Sequence, residues 1–280
     1  MRRLLVVVWF TTAARLAAAQ SPTDSHAPDA TSIKDNSFLV EEAYNQEAGV
    51  VQHINTFFRP TNGAGWVYTF TQEWPVRGQT NQFSYAIPVA RIHDSSRGTT
   101  GIGDVALNYR RQVGGTEQDR LALAPRLTVL LPTGASRRGL GSGGTGFQLN
   151  IPFSAELSTR LVAHTNAGMT YTAHARDKLD NSAPTRSYAL GQSVIWLAHP
   201  NLNLMLEGVW VSAESVAGPG RTSRSSDYLL SPGLRGAINF RSGLQIVPGL
   251  AFPFGIGSSR GERAVFGYLS FEHPFTSNSH

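Results

Sequence analysis

The sequence predicts an all-β protein: a transmembrane, antiparallel up-and-down β-barrel of about 12 strands. Three observations predict it. From Gly49 onward, run after run alternates apolar and polar side chains with a period of two, the signature of a pleated strand. The runs recur about every 20 residues, each near the roughly 9–11 residues that a tilted membrane strand needs. The chain also opens with an export signal and contains no cysteine among its 280 residues. An exported sheet without disulfides that lies in lipid must close on itself, because an open edge would leave backbone groups unpaired.

The signal is Met1–Ala19. Arg2 and Arg3 precede the apolar run Leu4–Phe10, and Ala17-Ala18-Ala19 supplies small residues before Gln20. Seven apolar residues are too few for a helix across a core that needs about 20. Removing Arg2, Arg3 and Arg15 leaves 21 basic against 19 acidic residues, so the whole-chain charge of +5 falls to +2. Nucleic acid is therefore not an expected partner. Residues 20–45 are polar and acidic and read as a mobile periplasmic lead-in, ending in a short structured piece at Ser37–Tyr44, too short to be a folded plug domain. The barrel is expected over 46–275, with Thr276–His280 as a tail beyond the aromatic Phe275.

The runs follow in order. Val50–Arg59 has the least distinct faces, and Trp66–Trp74 sets Trp66, Tyr68 and Phe70 against Thr69, Thr71 and Glu73. Gln82–Ile92, Gly103–Arg111, Leu121–Leu131 and Phe147–Ser154 continue the pattern. Leu161–Tyr171 places His164 and Asn166 on its polar side. Ser187–Leu197 and Leu202–Val211 form a hairpin in which Leu202, Leu204 and Leu206 oppose Asn203, Met205 and Glu207. Asp227–Phe240, Leu244–Phe254 and Ala264–Phe275 complete the set. Pro88, Pro152, Pro232 and Pro248 lie inside runs and count against those strands, since proline lacks a ladder donor.

Connections after even-numbered runs are short, such as Ala198–Asn201. Those after odd-numbered runs are longer and rich in Gly, Ser and Arg: His93–Thr100, Pro132–Gly144, Ala173–Arg186, Ser212–Ser226 and Gly255–Glu262. Short periplasmic turns opposite long outer loops mark bacterial outer-membrane barrels, and an even strand count puts both termini in the periplasm. Aromatics near run ends, among them Trp196 and Trp210, suit the two lipid–water interfaces. A soluble β-sandwich is the rival architecture; the strand spacing, loop asymmetry and aromatic ends weigh against it.

Chemical motifs are weak. Gly257–Gly261 matches G-x-S-x-G but lacks the strand-to-helix turn that makes the serine a nucleophile. Gly139–Gly146 lacks the Gly-Lys-Ser/Thr ending of a phosphate loop. The eight histidines show no ligand spacing, so no metal or other cofactor is expected. His164 is the one candidate general base, for a lipid hydrolase, and no serine partner is evident in sequence. No enzyme activity is expected.

The polar faces are more informative. Glu73, Asp104, Arg110, Arg126, His164, Glu207, Arg235 and Glu272 should project inward if the apolar faces meet lipid. Such a set either braces the barrel through salt bridges or lines a pore of mixed charge. Arginines of the expected outer loops (Arg97, Arg137, Arg138, Arg176, Arg221, Arg224, Arg260 and Arg263) either pair with lipopolysaccharide phosphates, which guanidinium binds in bidentate fashion, or are solvated loop charges.

FLVEEAYNQEAGVVQHINTF (Phe38–Phe57), GIGDVALNYR (Gly101–Arg110), LAPRLTVLLPTG (Leu123–Gly134), GLGSGGTGFQLNIPFS (Gly139–Ser154) and YLSFEHPF (Tyr268–Phe275) resemble the outer-membrane barrels grouped as the meta-pathway of phenol degradation-like family. The resemblance covers nearly all of the mature chain. It implies a barrel in the cell outer membrane, inserted by the barrel assembly machinery, that carries small solutes, aromatic or hydrophobic ones included. It supplies no catalytic or ligand residues. The expected function is a passive channel; the alternative is a non-conducting structural or envelope-sensing barrel.

Overall fold

The structure, a computed structural model, describes residues 37–63, 65–94, 97–115 and 119–274. The signal peptide, residues 20–36, Phe275 and the tail lie outside the described residues. The alternating runs form twelve strands of one closed sheet. They are β1 (Val50–Pro60), β2 (Gly65–Pro75), β3 (Asn81–Asp94), β4 (Arg97–Ile102 and Val105–Arg111), β5 (Leu121–Leu123 and Arg126–Leu131) and β6 (Gly146–Ser158). Then come β7 (Leu161–Arg176), β8 (Ser182–His199), β9 (Leu202–Gly218), β10 (Arg221–Gly236), β11 (Gln245–Ala251 and Phe254–Gly255) and β12 (Ala264–Pro274). Each pairs antiparallel with the next, and β12 pairs with β1 from Val50↔Pro274 to Pro60↔Ala264, which closes the barrel.

The four internal prolines are all accommodated in strands, and three show how. A proline offers its neighbour a carbonyl but no N–H, so the neighbouring ladder lapses there. Pro88 in β3 faces the break in β4, where Gly103 N–H donates to its carbonyl. Pro152 in β6 faces the break in β5 and accepts from Ala124; Pro232 in β10 faces the break in β11 and accepts from Phe252.

Three expected outer loops are mostly strand, His93–Thr100 among them, since β3 runs to Asp94 and β4 starts at Arg97. β7 runs to Arg176 and β8 starts at Ser182, leaving 177–181 as the turn; β9 and β10 are joined through Pro219-Gly220. Their Ser-, Thr- and Arg-rich ends stay paired in the ladder, and Glu214 stands directly opposite Arg224 in the register and pairs with it at 2.7 Å. The loops that remain long at this end are 132–145 and 256–263. The opposite end carries both chain ends of the barrel and the turns 76–80 and 200–201.

Burial decides between barrel and sandwich. On β9 the alternation is strict: Asn203, Met205, Glu207 and Val209 are buried while Leu202, Leu204 and Leu206 are exposed. On β6, Phe147, Leu149, Ile151 and Phe153 are exposed, as are Leu190, Val194 and Trp196 on β8. Apolar outside and polar inside is the reverse of a soluble sandwich, and so continuous an apolar exterior belongs in lipid.

Candidate functional site

The inward positions of the strands surround a second stretch of chain. Ser37–Gln46 runs through the lumen, and every residue of it except the half-buried Leu39 is buried. The expectation of a periplasmic lead-in over 20–45 is corrected for its last part: residues 37–45 lie inside the barrel. The segment makes no strand ladder. Its backbone is satisfied by side chains of the wall, which is what burial of peptide groups demands.

Those contacts follow the segment across the lumen. Glu207 of β9 accepts the N–H groups of Leu39 and Val40 on one carboxyl oxygen, at 2.6 and 3.1 Å. Asn166 of β7 accepts Glu41 N–H and donates to Glu41 carbonyl, each at 2.7 Å. Ser154 of β6 accepts Ala43 N–H at 2.7 Å, and Gln82 of β3 accepts Gln46 N–H at 2.7 Å. Arg110 of β4 donates to the carbonyls of Glu42 and Tyr44 and to the Asn45 side chain. Ser37 meets Ser193 of β8, hydroxyl to hydroxyl.

Side chains anchor it as well. Arg126 of β5 pairs with Glu41 at 2.6 Å, both essentially unexposed. Phe38 enters an apolar cluster with Phe266 and Tyr268 of β12, ring centroids 5.4 Å away in each case. Room for it comes from glycines: a Cβ on Gly249 would lie 2.5 Å from the Phe38 ring and one on Gly233 2.8 Å. Val40 similarly sits over Gly191 of β8.

The eight expected luminal residues take the following places. Arg110, Arg126 and Glu207 hold the segment directly. Glu73 accepts from Gln82 at 2.8 Å, and Glu272 accepts from Gln52, which in turn accepts from Gln46. His164 is fully buried with its Nδ1 2.8 Å from Ser154 Oγ. Arg235 of β10 is buried, its Cβ beside Gly249 of β11. Asp104 stands apart, partly buried at the other end. It accepts Gly134 N–H at 3.0 Å and both the N–H and hydroxyl of Ser142 at 2.6 Å, clasping the loop 132–145. That loop turns inward, since Leu140 is buried and lies over Gly101 and Gly103.

Ser154 is the serine that sequence could not pair with His164; the register of β6 and β7 puts them opposite each other. Both are buried, and the serine oxygen accepts the Ala43 amide, which helps fix the segment. Ser259 of the G-x-S-x-G match is likewise buried, donating to Asp227 at 3.0 Å and accepting Tyr228 N–H. Among the described residues no group of three or more side chains could hold a metal ion.

Of the loop arginines, Arg137 and Arg176 both pair with Asp180, at 2.8 and 2.9 Å. Hydrogen bonds from Arg137 and then Arg176 hold the Asp180 carboxyl below its ordinary range. Asp177 is lowered by the Asn181 side chain.

The family model described as "Putative MetA-pathway of phenol degradation" matches residues 19–256, and so includes the luminal segment. The chain belongs to this family. The fold is shared with an outer membrane channel from Pseudomonas putida F1, at 12% identity and TM-score 0.67, covering 83% of this chain and 97% of that one. The NanC porin is similar at 8% identity and TM-score 0.53, over 78% and 98% of the two chains. No curated protein matches the sequence.

Proposed function

We propose that the protein is a passive outer-membrane channel for small solutes, closed at rest by residues 37–46. The observation that carries the reading is that the wall holds this segment by side-chain contacts to its backbone, not by strand pairing. Such contacts exchange for water one at a time, so the segment can leave while the closed sheet stays intact. The wall it would uncover carries Arg110, Arg126 and Arg235 with Glu73, Glu207 and Glu272, a mixed-sign lining that excludes neither anions nor cations. The end bearing the turns 76–80 and 200–201 would face the periplasm, and the loop 132–145 would face outward.

Family membership supports a transport role, and small aromatic or hydrophobic solutes are the class it suggests. The filled lumen specifically favours one second reading, a non-conducting structural barrel. Planar-bilayer recordings separate the two. The channel reading expects larger, more continuous conductance from a chain lacking residues 37–46 than from the full chain; no openings from either, with the barrel folded, overturns it.

A further inference from the structure

One stretch of the outer wall is unlike the rest. Across β12, β1, β2 and β3 the register lays out a single lateral row of outward side chains near the loop end. Val265 pairs with Arg59, Arg59 stands one step beyond the Phe58↔Val67 pair and so beside Trp66, and Trp66 pairs with Arg91. Arg59 and Arg91 are exposed and flank Trp66, two strand spacings or about 10 Å apart. One outward position further toward the loops are Arg263, whose carbonyl accepts Thr61 N–H, and His93, whose ring accepts from Arg91 Nε at 3.1 Å. One outward row toward the opposite end is apolar: Phe57, Tyr68, Val89 and Ile102, with Phe57 5.8 Å from Trp66 between ring centroids.

A basic row directly above an apolar one, with an indole between, is the profile of a wall crossing from acyl chains into phosphorylated head groups. The charge here forms no ion pair, whereas three arginines elsewhere at the loop end do. At the loop end of β7–β10, Arg176, Arg137 and Arg224 are all paired with carboxylates. Among the described residues, Arg59, Arg91 and Arg263 have no such ion pair, and Glu262, next to Arg263 in the chain, accepts from Asn62 at 3.3 Å.

We propose that Arg59, Arg91 and Arg263, with Trp66 beneath them, bind the phosphates of an outer-leaflet phosphorylated glycolipid. Guanidinium groups grip phosphate oxygens in bidentate fashion, and a 10 Å spacing lets two long arginine side chains reach either one phosphate or the two of a bisphosphorylated sugar. The indole ring supplies the apolar contact at the head-group level. The inference rests on the outer-membrane location and not on conduction.

The test uses the full chain refolded in neutral detergent micelles, with native mass spectrometry and Trp fluorescence as readouts. Bisphosphorylated lipid A should bind about tenfold or more tightly than the same lipid with its phosphates removed. The double variant Arg59→Gln, Arg91→Gln should lose that preference, while Arg137→Gln retains it. Equal binding of the two lipids, or an unchanged preference in the double variant, overturns the proposal; inorganic phosphate binding as tightly as the lipid overturns the glycolipid assignment. If the double variant does not refold, the two-lipid comparison on the wild-type chain decides.

Discussion

Replacing Glu207 with alanine tests how the luminal segment is held. One carboxyl oxygen accepts two amides, Leu39 N–H at 2.6 Å and Val40 N–H at 3.1 Å, and no water reaches Glu207, which is 0% exposed. Each hydrogen bond contributes about 1 kcal/mol, and each donor left buried and unpaired costs about 1–3 kcal/mol. Losing both therefore destabilises the seated segment by about 3 kcal/mol, allowing for partial relaxation, which is roughly a 100-fold increase in its opening equilibrium. Glu207→Gln keeps the acceptor oxygen and should fall between wild type and alanine. Amide hydrogen exchange reads this directly. Protection at Leu39 and Val40 should fall by about two orders of magnitude in Glu207→Ala, while amides in β6–β9 keep theirs. Unchanged protection of the segment with the barrel intact would refute the reasoning, as would a uniform loss over the whole barrel.

Gly249→Ala forces a Cβ against the Phe38 ring and should unseat that side chain without breaking the sheet, read as faster exchange at residues 37–40. Asp104→Ala removes three hydrogen bonds to the loop 132–145 and should expose Arg137-Arg138 to trypsin, several-fold faster than in wild type. The turn 177–181 should be acid-resistant. Because the folded Asp180 carboxyl is lowered, its pairing with Arg137 and Arg176 is fully present above the ordinary carboxylate range and is lost only as pH falls through the lowered value. An NMR titration of the Asp180 carboxyl with an ordinary midpoint would contradict this.

The strands and their faces were legible because lipid outside and polar packing inside impose a strict two-residue alternation. Leu202–Val211 is the clearest case. The strand lengths were less so: the Ser- and Arg-rich extensions of β7–β10 look like loops by composition, and only the registers of β7 with β8 and of β9 with β10 show that they pair. Breaks in β4, β5 and β11 follow from prolines on their neighbours, a relation visible only once strands are adjacent. The inward direction of Glu207, Arg110 and Arg126 could be read from alternation, but not what they hold. Residues 37–46 satisfy their backbone through side chains of strands some 36 to 168 positions away, so they carry no period of their own. The available signal was indirect: Gly191, Gly233 and Gly249 leave inward positions empty on strands otherwise well filled, because Val40 and Phe38 occupy that space.

The most direct test of the closed-lumen reading joins Ser37 to Ser193, whose hydroxyls are in contact, by Ser37→Cys and Ser193→Cys in a chain that otherwise has no cysteine. Single-channel recordings are then made on the same refolded protein, oxidised and reduced. Discrete openings in the reduced state that vanish on oxidation are the predicted result. Openings that persist after oxidation, or their absence in both states with the barrel folded, would contradict it.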